Sequence, residues 1–202
     1  MRTLVIETAT AACSAALVAD GSVLAAAHEV VGRGHAERLI PMIAELIAVH
    51  GPAQAVLIDC GPGSFTGVRV GLAAARAFGL GWNVPVAGFS SLSLLAVMAD
   101  EDDAVGVAIP GGHGELFVQS FATGPLRPLS ELRSLLPADA ARAIGEKVVV
   151  GPGAARLVAE RGWGEAREIL PDAKDAILLP VALASLPPSP LYGRAPDAKL
   201  PA

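Results

Sequence analysis

The chain opens with three short apolar runs. Thr3 to Glu7, Cys13 to Ala19 and Val23 to His28 read as strands, and Asp20-Gly21 is a turn that makes the last two antiparallel neighbours. After the polar stretch Gly32 to Gly34 the period changes: Ala36, Leu39, Ile40, Ile43, Leu46 and Ile47 describe a one-sided helix. Pro41 falls early in that helix, where a missing amide costs least. Ala55 to Ile58 is a short buried strand running into the loop Asp59-Cys60-Gly61-Pro62-Gly63. A small-residue helix follows over Phe65 to Gly81, with Ser64 as its cap. Val84 to Ala87 predicts another strand, and Ser90 to Met98 a helix capped by Ser90. Alternation of this kind, preceded by a hairpin meander, predicts an α/β fold in which helices cover a mixed sheet.

The acidic run Asp100 to Asp103 marks a boundary between residues 1–99 and a smaller second part, 104–202. Beyond it, Val105 to Ile109 and Leu116 to Phe121 form two strands joined through Pro110-Gly111-Gly112-His113-Gly114. Lys147 to Val150 predicts a strand and Ala154 to Arg161 a helix. Pro187-Pro188-Ser189-Pro190 is extended, and Leu191 to Ala202 either docks back as an irregular strand or stays loose.

Composition narrows the function. Fifteen Lys+Arg against 20 Asp+Glu leave a formal charge of −5, and 52% of residues are apolar with 17% charged. That balance describes a core-rich domain and argues against strong direct binding of tRNA or any other nucleic acid, which needs a cationic surface. Glycine, proline or charge interrupts every apolar stretch long enough to span a membrane. Cys13 and Cys60 lie in apolar segments at no metal-type spacing, as reduced core thiols do, and the expected compartment is cytoplasmic.

Gly61-Pro62-Gly63-Ser64-Phe65-Thr66-Gly67-Val68-Arg69-Val70-Gly71 is the most informative segment. A glycine loop between a strand and a helix is a place where anions meet free amides. Two tests count against a nucleotide loop: Val68 stands where a Walker loop has lysine, and Thr66 where a dinucleotide fingerprint has its third glycine. Gly67 and Gly71 share one helix face, followed closely by Ala74, Ala75 and Phe78. Each glycine costs about 1 kcal/mol relative to alanine, which makes sense where another backbone approaches, either the sheet beneath or a helix of a partner. Arg69 and Arg76 lie on nearly one stripe, suited to an interface rim or to solvent.

Catalytic constellations are missing. Glu7, Asp59 and Glu115 fall at strand ends or loops without any compulsory pairing. His35 opens the first helix, yet Val31 and Leu39 occupy the positions of a second ligand, and Ser64, Ser90 and Ser91 lack a nucleophile elbow.

Ile6-Glu7-Thr8-Ala9-Thr10 with Cys13-Ser14, then His35 with Leu39 and Pro41, then Gly61 to Gly71, then Ser90-Ser91-Leu92, resemble the bacterial TsaB family. Gly114-Glu115-Leu116-Phe117 and Tyr192-Gly193-Arg194 are similar to later family segments. The resemblance implies an actin-like, sugar-kinase-like fold of two ribonuclease-H-like lobes, the second reduced. It implies a non-catalytic scaffold with no cofactor or metal of its own, acting in the formation of threonylcarbamoyladenosine at position 37 of tRNAs that read codons beginning with adenosine. The implied partners are the catalytic, metal-binding TsaD and the small ATPase TsaE, with a homodimer through the same face as a further assembly. The implied partner-facing surface is the helix His35 to Val49 beside the helix Thr66 to Gly81, with His35, Leu39, Ile43, Ile47, Gly67, Arg69, Gly71, Ala74 and Phe78 at the contact. Glu7, Thr8, Gly61, Gly63 and Ser64 are candidate nucleotide or inter-subunit contacts. The alternative is a small ATP-dependent phosphotransferase or ATPase using Glu7 or Asp59 with magnesium and the loop amides.

Overall fold

The computed structural model describes residues 1–193, so Arg194 and the tail beyond it lie outside the described residues. Two mixed sheets form its body. The first contains β1 (Arg2–Glu7), β2 (Ala12–Ala19), β3 (Ser22–Val30), β4 (Ala55–Asp59) and β5 (Val86–Phe89), in the order β3-β2-β1-β4-β5. The meander β1 to β3 is antiparallel, as the turn at Asp20-Gly21 predicts, while β4 and β5 add on in parallel. Parallel addition requires crossovers, which α1 (His35–His50) and α2 (Phe65–Trp82) provide. A third helix, α3 (Ser91–Val97), leads to the second sheet.

That sheet is built from β6 (Val105–Pro110), β7 (Leu116–Thr123), β8 (Leu126–Pro128), β9 (Arg133–Leu135), β10 (Val148–Val150) and β11 (Glu165–Arg167), ordered β11-β10-β6-β7-β8 with β9 also pairing to β7. Helices α4 (Pro137–Ala143) and α5 (Ala154–Arg161) cover its outer face. The reduced size of the second half shows in its strands, since four of its six have three residues each.

Strand periodicity fixes a layered core. Leu4 and Ile6 of β1, and Cys13, Ala15 and Leu17 of β2, face α1 and α2, whereas Val5 and Ala16 point the other way. On the second sheet Val105, Val107 and Ile109 point inward while Ala108 packs under α5. The inward residues of both sheets meet over α3, six of whose seven residues are buried. The two halves therefore share one central core. Their separation at Asp100 to Asp103 is a separation along the chain, and after Asp172 the chain returns to the first sheet: the 3-10 turn Ala173–Leu178 packs on it, and Leu186 bridges Gly88 of β5.

Capping follows the sequence. Ser64 Oγ accepts from Gly67 N–H at 3.1 Å at the start of α2, and Ser90 Oγ accepts from Leu92 N–H at 3.2 Å at the start of α3. At the other end of α2, Asn83 takes the left-handed conformation and closes the helix. Cys13 and Cys60 are free, buried thiols, both pushed up to about 11 by burial.

Candidate functional site

The glycine face of α2 is occupied from within the chain. A methyl group added at Gly67 would overlap the carbonyl oxygen of Thr8, and one at Gly71 would overlap Thr8 Oγ1 and press on Ile58 at 3.0 Å. Thr8 Oγ1 donates to the Gly67 carbonyl at 2.8 Å, so the close approach also makes a bond. Of the two expected uses of these glycines, the structure shows the contact with the sheet side, which fills the space beside both Cα atoms. Gly63 repeats the pattern against the backbone of Ala9, whose carbonyl accepts from Ser64 N–H at 2.6 Å.

Several residues expected at a partner contact likewise serve this chain's own core. Leu39 and Ile43 are completely buried, Ala74 nearly so, and Ile47 and Phe78 are half-buried, Phe78 stacking on Trp82 at 4.6 Å. His35 Nε2 lies 2.9 Å from the Ala12 carbonyl, tying the start of α1 to β2. Arg69 stacks on Phe65 at 3.3 Å and donates to Tyr192 Oη at 3.0 Å, while Arg76 donates to the Pro188 carbonyl at 2.8 Å. Both arginines thus hold the returning C-terminal segment.

What α1 and α2 expose lies one position away. Ala36, Ile40, Ala44 and Ala48 form an i, i+4 row on the outer face of α1, and Ala73, Ala77, Leu80 and Gly81 lie outward on α2. Ile40 is 49% and Leu80 86% exposed. These positions carry no charge. An uninterrupted small-residue row on the otherwise solvated side of the helix is the signal that could have identified them; the stronger stripe Leu39, Met42, Ile43 and Leu46 masked it by marking the core.

A cleft of about 660 Å³ opens where the carboxyl ends of β1 and β6 meet the amino end of α2. Ala9, Thr10, Gly63, Ser64, Ile109 and Phe117 line it, and the C-terminal segment through Tyr192 forms one wall. Gly63 and Ser64 are therefore at the cleft as a nucleotide reading requires. Glu7, Thr8 and Gly61 lie beneath its floor, buried.

Under that floor the parallel register Ile6↔Ile58 places Glu7 beside Asp59, both completely buried. Asp59 Oδ1 accepts from Gly61 N–H at 2.7 Å and Ser91 Oγ at 2.8 Å. Glu7 accepts from Ala9 N–H at 2.7 Å and Ser14 Oγ at 3.4 Å. Burial, reinforced by the Asp59 charge, raises the Glu7 carboxyl well above the usual carboxylate range, and burial pushes Asp59 up to about 7. Sequence reasoning placed each at a strand end but left them unpaired. Glu115, the third carboxylate, is not part of this buried pair but lines the cleft itself, accepting from Ser134 Oγ at 2.6 Å.

Comparison with known proteins places this geometry. The family model described as TsaD, tRNA N6-adenosine threonylcarbamoyltransferase, matches residues 27–160. The tRNA threonylcarbamoyladenosine biosynthesis protein TsaB of Escherichia coli (strain K12) is 42% identical over 100 residues, covering 48% of this chain and 43% of that protein. The match thus spans less than half the length of that relative. An uncharacterized protein of Mycobacterium tuberculosis (strain ATCC 25618 / H37Rv) is 33% identical over 210 residues, 97% of this chain and 93% of its own. YeaZ from Pseudomonas aeruginosa superposes with a TM-score of 0.79 at 27% identity, over 95% of this chain and 99% of that chain.

Proposed function

Because this chain belongs to the TsaB family and has its actin-like fold, we propose that it is a non-catalytic subunit for threonylcarbamoyladenosine formation on tRNA, working by binding a TsaD-like catalytic protein. The observation that supports this reading is the outer face of α1 and α2, where Ile40, Ala44, Ala73, Ala77 and Leu80 offer an uncharged, close-packing surface. A TsaD-like partner shares the family's fold, so it can present an equivalent helix pair. Two related helix pairs then meet about a pseudo-twofold axis, the geometry of an isologous contact.

Charge supports the division of labour. At −5 this subunit stays clear of phosphates, and the catalytic partner holds the tRNA, those reading codons that begin with adenosine. A TsaE-like ATPase joins the pair, the assembly is cytoplasmic, and without its partner the chain dimerises through the same face. A phosphotransferase reading draws less support, because Glu7 and Asp59, its candidate magnesium ligands, lie buried under the loop instead of at the cleft.

The experiment is reconstitution of the tRNA modification with this chain omitted and restored, alongside titration of the catalytic protein into it. Restoration together with a saturable complex is the expected result. Modification that proceeds equally without this chain, or the absence of a complex at micromolar concentrations with and without nucleotide, would overturn the proposal.

A further inference from the structure

The buried pair at the ends of β1 and β4 poses a physical problem of its own. Asp59 Oδ2 is fully buried and has no hydrogen-bond partner among the described residues. Its neighbour on β1 is another carboxyl, Glu7. Among the described residues, the ionisable groups around them bring no compensating charge. The turn preceding Ala173–Leu178 brings Asp172, which adds negative charge; Cys13 of β2 and Cys60, the residue after β4, pack in the core on the opposite face of the sheet, and their thiols are held neutral. Helix α3 contributes the hydroxyl and the backbone amide of Ser91, which are donors without a full charge. Lys174 is drawn to Asp172 and Asp175 instead. An unpaired lone pair and two uncompensated negative charges in one buried site are each costly, and a single proton relieves both costs.

We propose that Glu7 and Asp59 share one proton as a hydrogen-bonded carboxyl–carboxylate pair, and that losing it loosens the cleft floor, making this region a pH-sensitive latch. The pair is bonded to three separate pieces of backbone or helix. Glu7 holds the β1–β2 loop through Ala9, Asp59 holds the glycine loop through Gly61, and Asp59 also holds the start of α3 through Ser91. Ser14 extends the network. Its hydroxyl donates to Glu7 while accepting from Ala173 N–H at 3.0 Å, so the returning C-terminal segment is tied to the same pair. With both carboxyls ionised, mutual repulsion in a low-dielectric site separates them, and the loops bonded to them move apart.

The sign of the pH dependence follows from linkage. The pair keeps its shared proton to a higher pH in the folded chain than either carboxyl keeps one in the unfolded chain, so the contribution is complete below the unfolded values near 4 and is lost as pH rises through about 7. Holding one proton more than the unfolded chain, the folded protein loses stability by about tenfold in its folding equilibrium constant per pH unit across that window.

The test measures unfolding equilibria of the full chain from pH 5 to 8, with amide exchange at Ala9 and Gly61 followed over the same range. Asp59→Asn replaces the protonated carboxyl by an amide that donates to Glu7, and it is expected to abolish the tenfold-per-unit slope and keep both amides protected at pH 8. A slope in Asp59→Asn equal to that of the natural chain would overturn the proposal. Should that variant fail to fold, infrared difference spectra of the natural chain decide. A protonated-carboxyl carbonyl band present at pH 6 and lost by pH 8 supports the shared proton, and its absence at pH 6 refutes it.

Discussion

Replacing Gly67 by alanine sets two effects of opposite sign against each other. Alanine is the better helix former, and in the interior of α2 it would contribute about 1 kcal/mol. The added methyl, however, would overlap the carbonyl oxygen of Thr8. No rotamer change relieves a collision with backbone, so the β1–β2 loop must move, at the upper end of the roughly 1–3 kcal/mol typical of overpacking. Movement also lengthens the bond from Thr8 Oγ1 to the Gly67 carbonyl, now 2.8 Å, at about 1 kcal/mol. The net effect is a destabilisation of about 2–3 kcal/mol, which for a chain of this size lowers Tm by roughly 5–10 °C. Calorimetric unfolding of the isolated chain measures this directly. A Tm unchanged or raised by the substitution would show that the fold does not need the glycine, and would return it to the role of accommodating a second helix.

The Gly71→Ala collision is with a side chain, Thr8 Oγ1, so a Thr8→Ala background should recover much of its loss in stability, whereas of the loss from Gly67→Ala it should recover no more than the share of the hydroxyl bond, about 1 kcal/mol; equal recovery in both would contradict the geometry. Leu80→Glu, at a side chain 86% exposed, should leave Tm within about 1 °C and weaken the complex with a TsaD-like protein at least tenfold in a titration. Arg76→Ala removes the bond to the Pro188 carbonyl and should speed amide exchange at Leu186 and Leu191, whose N–H groups bond Gly88 and Cys60. Thiols pushed up to about 11 leave about one thiolate in ten thousand at neutral pH, so Cys13 and Cys60 should react with a disulfide reagent only after unfolding.

Much of the fold was legible because local rules and tertiary packing agree along most of the chain. Alternation in Thr3 to Glu7, the Asp20-Gly21 turn and the Ser64 cap each act over a few residues, and the structure places β1, β3 and α2 within two residues of those signals. The short elements escaped for the opposite reason. Leu126–Pro128, Arg133–Leu135 and Glu165–Arg167 are three-residue strands whose pairing depends on β7 and β10, not on their own composition. The strand expected at Val84 to Ala87 begins two residues later because Pro85 has no amide for the sheet, and its carbonyl instead accepts from Val56 N–H at 2.9 Å. At the site, the apolar stripe expected at a partner contact, Leu39, Ile43 and Ala74 among it, is packed into this chain's own core, which a periodic pattern marks in the same way.

The pairing of Glu7 with Asp59 shows where such reasoning stops and what information would extend it. Parity alone puts both side chains on the inner face of the first sheet, since Glu7 follows Val5 by two and Asp59 follows Leu57 by two. What parity lacks is register. Only the alignment of Ile6 with Ile58 sets the two carboxyls side by side, and that alignment is fixed by the α1 crossover and its burial of Leu39, Met42 and Ile43 against the sheet. A core helix thereby determines the electrostatics beneath a cleft to which it contributes no side chain. Substitutions in the buried stripe of α1 that shift this register by one residue would turn Glu7 and Asp59 to opposite faces. The proton linkage between pH 5 and 7 is therefore also a reporter of α1 packing, readable without any substitution at the carboxyls themselves.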